Sequence, residues 1–135
     1  MRFEFEKFPG KGRGYEDRAS IRKSGQLGFS TGSVVHYHLK EFDGAILYYD
    51  GNNRVVGVEP VKESTDKAAC ALIHRPGNTY VAAKSFFDLY QIPTGPKTER
   101  YHLWRDEDSG FLIIELTKPI PKEGQVPPRK GGDLE

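Results

Sequence analysis

Apolar and polar residues alternate over short stretches of this chain, and glycine-bearing turns interrupt the stretches at intervals typical of hairpins. Residues 19–23 and 27–29 flank Ser24-Gly25-Gln26, which predicts a hairpin whose Gly25 takes the positive φ of a tight turn. Ser30 or Thr31 then caps a short helix, on which Val34, Val35 and Leu39 fall near helical spacing, and Gly44 closes the segment after Asp43. Its β-branched residues make this helix dependent on packing. A second hairpin is predicted over residues 45–49 and 54–58 around Asp50-Gly51-Asn52-Asn53, with Pro60 ending it and residues 62–67 forming a polar connector.

The same order then returns. Residues 70–75 and 79–82 flank Pro76-Gly77-Asn78 as a hairpin, residues 84–90 carry Phe86, Phe87, Leu89 and Tyr90 as a short helix stopped by Pro93, and residues 101–104 and 111–116 form a last hairpin. Placing Gly25 on Gly77 brings Phe29 onto Val81, Val34 onto Phe86 and Val35 onto Phe87. One hairpin, helix and hairpin cannot bury both faces of its strands, so a second copy supplies the missing surface. The pattern therefore predicts an α+β, mainly β fold: one globular domain over residues 19–117, with repeat one at 19–61 and repeat two at 68–117.

The flanks read differently. Residues 2–8 alternate charged and aromatic side chains as an edge strand or a loose arm would, and Gly10, Gly12 and Gly14 then break any regular element. Residues 1–18 are expected to be a flexible basic arm. The prolines and glycines after Thr117 predict a disordered tail at 118–135.

Composition narrows the function classes. The 135 residues carry a formal net charge of +1, so anion binding has to come from local clustering. A single cysteine, Cys70, excludes an intramolecular disulfide and a multi-cysteine zinc site, and reads as a small buried hydrophobe. No apolar run reaches the roughly 18 residues of a membrane span, and the opening Met-Arg-Phe-Glu-Phe-Glu lacks a signal peptide's apolar region. A soluble, cytoplasmic protein is expected, without membrane contact.

The duplicated hairpin, helix and hairpin resembles the AbrB-like swapped-hairpin family of bacterial transition-state regulators and antitoxins. The resemblance rests on Gly25, Leu27, Phe29, Leu39 and Asp43-Gly44 in the first copy and on Gly77 and Val81 in the second. It covers about residues 19–116 and implies a barrel-like domain in which hairpins interlace. Where the family places arginine after the turn glycine, this chain has Gln26 and Asn78; where the family has proline before the helix it has Ser30 and Ala82, and Val34 and Phe86 replace the helical arginine.

Basic residues recur near the turn glycines: Arg18, Arg22 and Lys23 in the first copy, Arg75 and Lys84 in the second. They are the nucleic-acid-binding candidates, because phosphate is gripped by clustered Arg and Lys. Tyr48, Tyr49 and Trp104 are the protein-interaction candidates, as large side chains that anchor interfaces. His36 and His38, two apart, point in different directions on a helix and would share a metal only on a strand. Ser24, Ser30, Thr31 and Ser33 lack a nucleophile-elbow setting, and Asp106, Glu107 and Asp108 lack the spacing of a calcium loop. No catalytic residue, metal or cofactor is expected. The sequence thus predicts a non-enzymatic prokaryotic regulatory module that binds DNA, either a monomer with internal pseudo-symmetry or a homodimer. The alternative is a protein-interaction or antitoxin-like scaffold that binds a partner protein.

Overall fold

In the computed structural model residues 17–62 and 67–121 are described. Residues 1–16 of the expected basic arm and most of the tail lie outside those residues, whereas Arg18, expected to end the arm, instead opens the first strand, where it pairs with His102. Ten strands and two short helices follow one another: β1 (Arg18–Ile21), β2 (Gln26–Phe29), α1 (Thr31–His36), a 3-10 turn at Leu39–Glu41, β3 (Gly44–Asp50), β4 (Val55–Val61), β5 (Ala69–Arg75), β6 (Asn78–Ala82), α2 (Lys84–Leu89), β7 (Glu99–His102), β8 (Trp104–Arg105), β9 (Leu112–Glu115) and β10 (Pro119–Ile120). The fold is mainly β, and among the described residues every strand pair is antiparallel.

Local chemistry sets the elements. Gly25 and Gly77 hold φ of 90° and 68° in the β1–β2 and β5–β6 turns, the left-handed region that glycine enters without steric cost. Ser30 caps α1: its Oγ accepts the Ser33 N–H at 3.3 Å. Ser33 is fully buried, and its Oγ accepts the Arg18 N–H at 3.0 Å, which ties the start of β1 to the helix. The helix ends at Tyr37, and His38 turns left-handed with φ 55°. The core gathers the inward alternate positions: Ala19, Ile21, Leu27, Val56, Val58, Val81, Leu112 and Ile114 are all almost inaccessible, with Phe87 of α2 among them.

The strand order is β10-β7-β1-β2-β6-β5-β3-β4-β9-β8. Sequence-adjacent hairpins therefore do not all stay together: β1 pairs with β7, β2 with β6, and β3 with β5, so strand pairs from the first half alternate with strand pairs from the second. The hairpins around Gly25, residues 50–53 and Gly77 form where the sequence predicts them, and of the last expected hairpin only Trp104 and Arg105 pair with β9, because β7 pairs with β1 and β10; other boundaries differ as well. Strand β4 runs through Pro60 to Val61. Because β9 pairs with β4 only over residues 55–58, Pro60 sits where the strand has one partner, a setting that tolerates a missing N–H. Strand β7 begins at Glu99 rather than at residue 101, since β1 recruits it from Ile21 onward. Finally, the tail expected to be disordered from 118 contributes β10, whose Pro119 and Ile120 lie opposite Tyr101 and Arg100.

Candidate functional site

On β1, Ala19 and Ile21 face the core, so Arg18, Ser20 and, just beyond the strand, Arg22 face outward. Ser20 lies opposite Arg100 of β7 on one side and Gly28 of β2 on the other, and Gly28 in turn lies opposite Tyr80 of β6. Beside Ser20 lies a hollow of about 240 Å³, lined by Arg18, Arg22 and Arg100 with Ser20, Phe29 and Ser30. Arg100 is exposed, and among the described residues no carboxylate pairs with it.

Arg22 does a different job from the other two. Its guanidinium crosses Gly28 and donates from one Nη to Gln26 Oε1 at 3.0 Å and to Asn78 Oδ1 at 2.9 Å, with its Cζ 5.9 Å from the Tyr80 ring centre. Burial lowers its pKa from the usual arginine value, partly opposed by Tyr80, yet arginine starts so high that it stays a cation at neutral pH. Arg22 thus fastens β1 to β6 while lending its charge to the hollow.

The remaining basic candidates are dispersed. Arg75, at the end of β5, lines a separate hollow of about 90 Å³ with Lys40, Thr31 and Asn78, and Phe29 borders both hollows. Lys23 is exposed in the β1–β2 turn. Lys84 begins α2, forms an exposed ion pair with Asp88 at 3.0 Å, and covers Gly25. Arg18 and Arg22 are therefore brought together, and Arg75, Lys23 and Lys84 stand apart from them. Arg100 and Lys40 were not among the sequence candidates: Arg100 joins Arg18 and Arg22 only because β1 pairs with β7, and no local signal marks that pairing.

Two of the histidines, His36 and His74, serve as ties. His36 Nδ1 lies 2.7 Å from Asp17 Oδ2, which also accepts the Tyr37 hydroxyl at 3.2 Å, and Arg105 stands over the Tyr37 ring at 5.1 Å. Burial first, and then the Asp17 carboxylate, push the Tyr37 pKa up to about 12. His74 bonds the Phe42 carbonyl at 2.8 Å and Thr79 Oγ1 at 3.3 Å. Among the described residues no three His, Cys, Asp or Glu side chains form a metal-sized group. Cys70, expected to be buried, is only partly so, and that burial raises its pKa, which disfavours the thiolate.

The aromatic candidates divide by strand parity. Tyr48 of β3, Gly57 of β4, Ile113 of β9 and Trp104 of β8 lie in one cross-strand row, with Tyr48 40% and Trp104 43% exposed. The Tyr48 ring stacks on Phe111 at 4.4 Å and 13°, and its hydroxyl donates to Glu59 at 2.6 Å. Tyr49 points the other way, toward the core side of β3, where its ring meets Phe86 and Tyr90 at 6.3 and 5.2 Å. Alternation within the strand separates the two tyrosines that the sequence grouping had put together.

No protein family, curated protein or solved structure that was compared with this chain matches it.

Proposed function

We propose that this protein is a non-enzymatic prokaryotic regulatory module that binds DNA through the outward face of β7, β1 and β2, and that its framework is a duplicated, barrel-closed swapped-hairpin domain of the AbrB-like kind. Strand exchange supports the framework: the first hairpin of each half pairs with the second hairpin of the other, β1 with β7 and β5 with β3. In the β2–β6 pair, Gly28 faces Tyr80, its own counterpart when Gly25 is placed on Gly77, as a two-fold relation between halves requires. Closure is supported by residues 99–105, where β7 and β8 are separated only by Leu103. That stretch has β1 along one edge and β9 with β10 along the other, so the two ends of the strand order meet in one segment of chain.

The observation that carries DNA binding is the convergence of Arg18, Arg22 and Arg100 on one open hollow that Ser20 and Ser30 also line. Arginine and hydroxyl groups of this kind contact phosphate oxygens, and such contacts position a duplex without reading its bases. Binding is measured by fluorescence anisotropy with a mixed-sequence duplex. Affinity is expected to fall as salt rises, and Arg18→Ala and Arg100→Ala each weaken binding and lower the salt slope by about 1. No binding at about 50 mM salt, or equal slopes for both variants and the parent, overturns the reading.

The second reading is a protein-interaction or antitoxin-like scaffold, favoured by one observation: Tyr48, Ile113 and Trp104 fall in a single outward row. On this reading Tyr48→Ser with Trp104→Ser abolishes association with the partner protein and leaves duplex binding intact. Loss of both together, through a disturbed fold, would be seen by circular dichroism and would remove the support.

A further inference from the structure

The aromatic row is bordered by carboxylates on both sides. Gly57 leaves a gap at its centre, over which Phe111 leans: a Cβ on Gly57 would lie 3.2 Å from Phe111 Cδ2 and 3.6 Å from Tyr48 Cβ. The resulting hollow, about 270 Å³, is lined by Tyr48, Asp50, Val55, Phe111 and Ile113 together with Tyr49. The next outward row is Asp50, Val55 and Glu115, and the row on the opposite side holds Ile46 and Glu59. Asp50 accepts the Asn53 backbone N–H at 3.1 Å and its Nδ2 at 2.8 Å, which fixes the carboxylate at the mouth of the hollow and lowers its pKa below the ordinary range. Glu59 is held by Tyr48, and Glu115 pairs with an exposed Lys118 at 3.6 Å. Arg105, on the neighbouring β8, turns instead toward Tyr37.

From this charge pattern we infer that the β3–β4–β9–β8 face docks an extended, cationic segment of a partner protein, with an Arg or Lys side chain seated over the Tyr48–Phe111 stack and its charge between Asp50 and Glu59. An aromatic floor attracts a cation through its ring quadrupole, and flanking carboxylates exclude anionic partners. The inference rests on reading this face as an interaction surface and adds the chemistry of what it binds. It also divides the molecule: the arginine hollow on β1 takes anions, and the sheet face of β3, β4, β9 and β8 takes cations.

The row crosses three strand spacings, about 14 Å, which about five extended residues span, so a peptide of about eight residues suffices as a probe. An alternating Arg–Gly peptide is titrated into the full chain beside its Gln–Gly and Glu–Gly counterparts. Trp104, the chain's single tryptophan, reports by fluorescence, and amide shifts report at Gly57 and Ile113. The Arg–Gly peptide is expected to give a saturating response that weakens with salt. Tyr48→Ser or Asp50→Asn is expected to reduce its affinity roughly two- to fivefold. Equal binding by the neutral or acidic peptide overturns the cationic assignment while the interaction surface stands. Self-association that changes Trp104 emission and is lost in Trp104→Ser identifies a second copy as the occupant and likewise overturns it. Silence of Trp104 and of the Gly57 and Ile113 amides toward all three peptides, with no self-association, overturns the surface as well.

Discussion

Arg22 and Gly28 share one space: the guanidinium of Arg22 lies where any side chain on residue 28 would have to go. The absence of a Cβ on β2 is what lets an arginine from the end of β1 reach Asn78 on β6, and the three strands are fastened across their outward face by that reach.

Gly28→Val tests the coupling. Displacing Arg22 strands Asn78 Oδ1 and Gln26 Oε1 and crowds the face, at a cost of about 2 kcal/mol. Valine is otherwise a better strand residue than glycine, so in an Arg22→Ala background the same change is expected to be neutral or stabilising. Urea unfolding of the four proteins in a double-mutant cycle measures this, and additive effects of the two changes would refute it.

The two turn glycines are expected to differ in cost. Both hold positive φ, so an alanine at either carries a left-handed penalty of about 1 kcal/mol. At Gly77 nothing lies within 4 Å of the added Cβ, whereas at Gly25 the Lys84 Cβ is 2.5 Å away and its backbone Cα 3.0 Å. Gly25→Ala is therefore expected to destabilise by about 1 kcal/mol more than Gly77→Ala, because the start of α2 has to shift. Equal midpoints in thermal unfolding would show that α2 yields freely.

What could be read from the chain follows the range of the interactions involved. The hairpins around Gly25 and Gly77, and the Ser30 cap, are set by neighbours within a few residues, and alternation with turn chemistry exposes them. Strand β10 and the early start of β7 depend on partners far along the chain, and Pro119 even argues locally against a strand. The candidate site divides the same way. Arg18 and Arg22 share a face by the parity of one strand, but Arg100 joins them only through the β1–β7 register, and the wall that makes a cluster into a hollow is invisible until that register is known. Tyr48 and Tyr49 could have been separated from sequence alone, by parity.

Tyr37 supplies a pH prediction. Its folded pKa, about 12, lies above the ordinary tyrosine value of 10.0, so folding favours the protonated phenol. Its stabilising contribution is full below pH 10 and is lost as pH rises through about 12, where the folded protein too must release the proton. Ultraviolet titration of the chain's seven tyrosines should show a late-ionising group that is absent from Tyr37→Phe, and Asp17→Asn should bring that group to lower pH. A late group that persists in Tyr37→Phe would assign it elsewhere, Tyr101 being the next phenol raised by burial.

Cross-pairing makes the two halves of the chain dependent on each other. Residues 1–66 made alone contain β1, β2, β3 and β4 but lack β7, β6, β5 and β9, the strands that pair with each of them outside their own hairpins. Four unpaired strand edges would face water, and Leu27, Val56 and Val58, now almost inaccessible, would lose the inward side chains of Val81, Leu112 and Ile114 that share their core. Residues 67–135 alone are short of the same contacts in reverse. Each half is therefore expected to be unfolded at low concentration and to gain β structure only by pairing, either with the other half or with a second copy of itself. Far-ultraviolet circular dichroism followed by sedimentation decides the matter: mixing the halves should restore the spectrum of the intact chain, and ordering of a single half should rise with concentration. A half that folds as a monomer would mean that its own hairpins suffice, and that exchange between the halves is not what holds the protein together.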